Sequence, residues 1–263
     1  MKNILITLLA TLGMVASVEA TLIDTDDGLV SDTAQDITWL KDGNLIKTSC
    51  DTDNALWQAY DPESIAGSSG RTKTQICDDG GRPNWYEGEA WIAVLNDQNY
   101  LGYSDWRQPA TGQPDPTCSD GNIVADYGYG CTNSEMGHLH SVRAPDGLGN
   151  PDDFSDDCGS ECMLNTGPFE NMQGSYWSGT DYPQRPDFAW RYAFSSGHQT
   201  GIFKFQENSS FYIWAVRSGA VASEPPQAIP TLSHLALVLM ASLMLLLGLR
   251  QRAKSTAGIN SLR

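Results

Sequence analysis

Residues 175–219 read SYWSGTDYPQRPDFAWRYAFSSGHQTGIFKFQENSSFYIWAVRSG and hold three of the chain's eight tryptophans. Phe188, Trp190, Tyr192 and Phe194 alternate with Ala189, Arg191 and Ala193. That period of two puts four rings on one face of a pleated strand. Ser195-Ser196-Gly197 is a turn signal, Gln199–Gln206 a second run, and Glu207–Ser210 a second turn. Phe211–Arg217 is a third run, with Tyr212, Trp214 and Val216 on one side and Phe211, Ile213 and Ala215 on the other. Short strands joined by short polar turns predict an antiparallel meander. Burying each large ring contributes roughly 1.5–3 kcal/mol, so the meander is expected to carry much of the core.

Both ends of the chain differ from this. Met1–Ala20 has a basic start, an apolar middle and the small-x-small pattern Val18-Glu19-Ala20. It reads as a secretory signal peptide cleaved after Ala20; its apolar run is short for a membrane anchor. Leu232–Leu249 is eighteen residues long with only Ser233, His234 and Ser242 polar, and Arg250, Arg252 and Lys254 follow. This is the pattern of one transmembrane helix with its C-terminus in the cytoplasm. The expected organisation is therefore signal peptide 1–20, domain 21–222, linker 223–231, membrane helix 232–249 and basic tail 250–263.

The domain, Thr21–Ala222, carries 30 of the 32 acidic residues and 11 of the 16 basic ones, a formal charge of −19. Such a surface repels phosphate backbones and sulfated polymers, which excludes nucleic acid as a partner. All six cysteines, Cys50, Cys77, Cys118, Cys131, Cys158 and Cys162, fall inside it. An even number in an exported chain reads as disulfides. Nearest-neighbour pairing, 50–77, 118–131 and 158–162, is expected because each pair lies in a loop-like segment. A thiolate metal site is the rival, weakened by the lack of a CxxC pair.

In chain order, Asp27-Gly28 between Leu22-Ile23 and Leu29-Val30 predicts a hairpin, and Ile37–Leu40 a strand ended by Asp42-Gly43. Asp53–Tyr60 reads as a short helix and Ile65–Arg82 as Gly/Ser-rich loop. Tyr86–Asn96 is the clearest helix: Trp91, Val94 and Leu95 share a face, and Glu87 and Glu89 lie near its positive N-terminal end. Strands and helices in separate runs make the expected fold class α+β. In Asp105-Trp106-Arg107, an extended backbone points both charges one way and the ring the other. The two charges are expected to form a buried pair clamping a turn beneath the meander, the alternative being a ligand-contacting Arg107.

Gly102-Tyr103-Ser104-Asp105-Trp106-Arg107-Gln108-Pro109 resembles the G-Y-S-D-W-R-L-P-T signature of the Lcl C-terminal domain family. Asp27-Gly28 through Trp39, Glu89-Ala90-Trp91, Ser175–Thr180 and Trp190–Arg217 resemble the family's other motifs, so the likeness spans nearly all of Thr21–Gly219. Gln108 and Ala110 depart from it. The family's T-x-x-E-L helix is displaced to Thr132–Leu139 by an insertion carrying Cys118 and Cys131. The resemblance implies a C-type-lectin-like fold. It also implies kinship with a collagen-like bacterial adhesin that binds sulfated glycans, a ligand class that the −19 charge argues against copying. Ile229-Pro230-Thr231-Leu232, followed by the apolar segment and Arg250-Gln251-Arg252, resembles the IPTL-CTERM sorting signal. That resemblance implies an exosortase-like protease as partner.

Chemistry is sparsely signalled. No G-x-S-x-G, Walker loop or G-x-G-x-x-G is present, no catalytic residue is assigned, and an enzyme is not expected. His138-x-His140 near Glu135 offers metal ligands only on a strand; the stretch reads as helix, where the two point apart. Asp152, Asp153, Asp156, Asp157 and Glu161 either hold calcium or form a solvated acidic loop. Tyr176, Trp177, Tyr182 and Trp190 are candidates to stack on sugar rings, with Arg185 and Arg191 as donors; the rival reading makes these aromatics core. Pro183 and Pro186 stiffen Asp181–Asp187, a sensible place for contacts. The expected function is an exported, inner-membrane-anchored or sorted surface adhesion module for glycans or a surface protein. The alternatives are a structural envelope or biofilm-matrix protein and, further off, a secreted enzyme.

Overall fold

The computed structural model describes residues 22–119, 127–141, 166–194, 196–205 and 211–220. The chain divides into two units, Met1–Val221 and Ala222–Arg263, and all described residues lie in the first. Outside the described residues fall the signal peptide, the acidic set Asp152, Asp153, Asp156, Asp157 and Glu161, and the pair Cys158 and Cys162. So do the sorting motif Ile229–Leu232 and the apolar segment 232–249. Among the described residues, no helix is long and apolar enough to cross a membrane.

The described residues form two four-stranded antiparallel sheets. The first has the order β1 (Leu22–Asp24), β2 (Leu29–Asp32), β3 (Ile37–Leu40), β8 (Val216–Ser218). The hairpin at Asp27-Gly28 forms as read, with Leu22 opposite Asp32 and Asp24 opposite Val30. The second sheet has the order β4 (Gly128–Tyr129), β7 (His198–Phe203), β6 (Phe188–Ala193), β5 (Ser175–Asp181). A meander therefore exists, but its members are β5, β6 and β7.

The expected third meander strand, Phe211–Arg217, is corrected. Tyr212 bridges Tyr176 of β5 in parallel, while Val216 pairs with Trp39 of β3. The run crosses from one sheet to the other, which is why Tyr212, Ile213, Trp214, Ala215 and Val216 are all buried and no polar side appears. Trp214 fills the junction. Its ring lies 4.3 Å from Trp39, 4.7 Å from Phe169 and 5.4 Å from Tyr176.

Among the described residues there are five α-helices: α1 (Leu45–Thr52), α2 (Ala55–Ala59), α3 (Lys73–Asp78), α4 (Trp85–Asp97) and α5 (Glu135–Ser141). α4 is held by a reciprocal cap. The Asn84 side chain accepts from the Glu87 amide at 2.9 Å, and the Glu87 carboxylate accepts from the Asn84 amide at 2.7 Å. This satisfies amides that a helix start leaves unpaired. Glu87 is fully buried and also accepts from the Ser69 amide and hydroxyl at 2.9 and 2.6 Å. Gly88 lets α4 sit on the crossing strand: a Cβ there would lie 2.2 Å from Ile213 Cδ1. α3 corrects the expectation of continuous loop over Ile65–Arg82. Thr72 and Gln75 cap it in the same reciprocal way, and Cys77 bonds to Cys50 of α1. Cys118–Cys131 is the second disulfide among the described residues. Both pairings match the nearest-neighbour expectation.

Candidate functional site

The expected ring surface is largely internal. Tyr176, Trp177 and Trp190 are fully buried, which corrects their reading as sugar-stacking residues, because no ring face is open to a ligand. The Tyr176 hydroxyl accepts from the Gln173 amide at 2.6 Å, and its ring packs on Phe194, Tyr212 and Trp214. Trp177 packs on Phe211 at 5.1 Å. Arg191 is half-buried, its guanidinium 5.2 Å from the Phe211 ring; burial lowers its pKa, though guanidinium stays charged at any working pH.

Tyr182 and Arg185 do reach the surface. The loop between β5 and β6 is tight, as its prolines suggested: the Arg185 amide donates to the Tyr182 carbonyl and the Phe188 amide to the Arg185 carbonyl, at 3.1 and 2.9 Å. Tyr182 lies over Trp190 at 4.8 Å. It can do so because residue 201 of β7, opposite Trp190, is glycine; a Cβ there would meet the Tyr182 ring at 2.6 Å. Beside it, Phe188 pairs across the sheet with Phe203, their centroids 5.8 Å apart. Phe203 contacts Phe205 at 5.5 Å, and Phe205 contacts Tyr86 at 4.8 Å. Phe203 and Phe205 are 42% and 39% exposed, unusual for phenylalanine.

A row of rings therefore runs to the open end of the second sheet. Four charges frame it. Arg185 lies 3.8 Å over Phe188 and pairs with Asp187 at 3.3 Å. Lys204, buried against Trp85 at 4.3 Å, pairs with Asp181 at 2.5 Å. The two cations and two carboxylates cancel, so the row is locally neutral on a strongly acidic domain. Phe203 and Phe205 escaped the sequence reading, although the alternation Gly201, Phe203, Phe205 across from Phe188 was the signal for them.

The signature residues are arranged differently from the expectation. Asp105 does not pair with Arg107. Arg107 grips Glu135 of α5 with two bonds of 2.7 and 2.6 Å, and Asp105 accepts from Arg217 at 2.9 Å. Asp105 is 52% exposed, so the buried pair is corrected to two separate, partly solvated bridges. Glu135 and His138 line a polar cleft of about 330 Å3 with Thr111, Asn133 and Ser134. His140 instead packs on Tyr192 and Phe194, at 5.8 and 6.4 Å. Burial lowers its pKa, partly opposed by a bond to the Phe194 backbone. The two histidines thus point apart, as a helix requires. Among the described residues, the side-chain groups spaced for a metal are built on Cys50 with Cys77 and on Cys118 with Cys131. Those sulfurs are already bonded to each other.

This fold and surface define a disulfide-tied α+β domain with a ring-lined edge. A model of the IPTL-CTERM motif matches residues 227–253, which supports a C-terminal sorting signal and an exported, surface-sorted protein. Signals of this kind are processed by exosortase-type enzymes. No curated protein and no solved structure matches the chain.

Proposed function

We propose that Thr21–Ala222 is a surface-displayed binding module that holds neutral glycans on Tyr182, Phe188, Phe203 and Phe205. The observation that carries this reading is the exposed Phe203–Phe205 pair at the end of a ring row whose surrounding charges cancel. Apolar ring faces suit the C–H faces of sugars. Arg185 and the Tyr182 hydroxyl supply donors to sugar oxygens. The −19 formal charge of the domain disfavours sulfated or uronic chains. Sorting at residues 227–253 would place such a module where extracellular carbohydrate is met.

In this reading the chain acts by contact and not by turnover, held before sorting by Leu232–Leu249 with its C-terminus in the cytoplasm. It belongs with the Lcl C-terminal domain family and the C-type-lectin-like folds, on the strength of the motifs at Gly102–Pro109 and Ser175–Thr180. Asp152, Asp153, Asp156, Asp157 and Glu161 are its calcium candidates. A glycan array probed with and without calcium tests all of this. Binding to neutral glycans supports the reading; silence in both conditions selects the structural matrix protein instead.

A further inference from the structure

A second site is lined by none of the ring-row residues and does not depend on them. α4 and the Gly102–Pro109 stretch enclose a cleft of about 380 Å3, with an apolar wall of Ile92, Ala93 and Trp106 and the polar groups Glu89, Arg107 and Gln108. Its size is that of a small-ligand pocket. Most of its donors are committed. Arg107 holds Glu135 with two bonds and also donates to the Gln108 carbonyl. The side chain of Asn96, which also lines the cleft, both donates to and accepts from the Trp106 backbone.

What is left unmet accepts hydrogen bonds. Gln108 is 2% exposed; its Nε2 donates to Glu89 Oε1 at 2.5 Å, while its Oε1 is buried without any hydrogen-bond partner. A buried acceptor in that state costs the domain stability until a donor arrives. The charges are also unbalanced. Arg107 is neutralised by Glu135 and Lys204 by Asp181, which leaves Glu89 as the cleft's uncompensated charge. Burial raises the Glu89 pKa; the Gln108 bond and Lys204 pull it down, and Asp181 pushes it up.

We propose that this cleft binds an aliphatic ammonium group. Its nitrogen would pair with the Glu89 carboxylate and donate to Gln108 Oε1, with its methylene stem against Ile92, Ala93 and Trp106. A free alkylamine and a lysine side chain of a partner protein present the same chemistry.

The test is a titration of the purified full-length protein, followed by calorimetry and by the Gln108 side-chain amide signals. The probes are n-butylammonium, spermidine, Nα-acetyl-lysine methylamide and, as the uncharged match, n-butanol. Salt at about 0.15 M, where charges are screened beyond about 8 Å, suppresses diffuse attraction to the acidic surface. The expected result is saturable binding of the amines that moves the Gln108 amide, at least about tenfold weaker in Glu89→Gln and unchanged in Asp61→Asn, an exposed carboxylate outside the cleft. Tighter binding of the lysine derivative identifies a protein partner; tighter binding of spermidine identifies a free amine. Glu89→Gln is close to isosteric, so the test does not depend on a disruptive core substitution folding. Equal affinity for n-butanol, affinity unaffected by Glu89→Gln, or no saturable binding overturns the proposal.

Discussion

Trp214 Nε1 donates a 2.7 Å hydrogen bond to the carbonyl of Leu40, joining positions 174 residues apart. The indole touches Trp39 of one sheet and Tyr176 of the other, so this contact locks the crossing strand between them. Trp214→Ala is expected to cost about 3–5 kcal/mol, the range for removing a large buried aromatic. Trp214→Phe keeps most of the volume but leaves the Leu40 carbonyl unpaired, at about 1–3 kcal/mol. Urea unfolding of both variants checks this; a Trp214→Phe variant as stable as the parent would show that the hydrogen bond contributes nothing.

The cap of α4 gives a sharper test. Glu87 is fully buried, bonded to Asn84 and Ser69 and 3.5 Å from Arg71. Glu87→Ala leaves the Asn84 and Ser69 amides without their acceptor, while Arg71 keeps Asp79, and is expected to cost about 1–3 kcal/mol for each amide left unpaired. Glu87→Gln, which keeps one acceptor, should cost less. Chemical denaturation measures both, and a Glu87→Ala variant as stable as the parent would remove the cap from the explanation of α4.

How much was legible follows from the range of each interaction. The β1–β2 hairpin, α2, α4 and the strands at 188–193 and 198–203 declare themselves through neighbours in sequence: a turn dipeptide, a helical face, an alternation. The cap of α3, Thr72 with Gln75, was equally local but sat inside a glycine- and serine-rich run that reads as loop. Long-range facts were not legible. Alternation shows that Trp190 and Phe203 sit on a strand, not that Tyr182 covers the one while the other stays open. Nor does Asp105-Trp106-Arg107 reveal that its charges go to Arg217 and Glu135, 112 and 28 residues away.

Removing the Cys50–Cys77 bridge tests the disulfide frame. The bridge spans 27 residues and ties α1 to α3. By chain entropy, opening a loop of that length costs about 3–4 kcal/mol. The paired variant Cys50→Ala/Cys77→Ala should therefore melt well below the parent, and an unchanged melting temperature would mean that α1 and α3 are held by packing alone.

His140 sets a pH response. Its folded-state pKa lies below the ordinary value of 6.5 because burial penalises the charged ring. The unfolded chain takes up the proton first, so the stability from neutral His140 is present above about pH 6.5 and is lost as pH falls through and below it. Denaturant midpoints across this window should fall more steeply for the parent than for His140→Leu. Parallel curves would place the imidazole in a solvated setting.

The ring row is tested most directly by the affinity of the full-length chain for a neutral oligosaccharide that binds on the array, compared with Phe203→Ala/Phe205→Ala. Both side chains are substantially exposed, so the unfolding midpoint should stay within the small range typical of surface substitutions. The expected result is a loss of affinity of about a hundredfold at unchanged stability. Undiminished affinity in the double variant would contradict glycan recognition at Phe203 and Phe205.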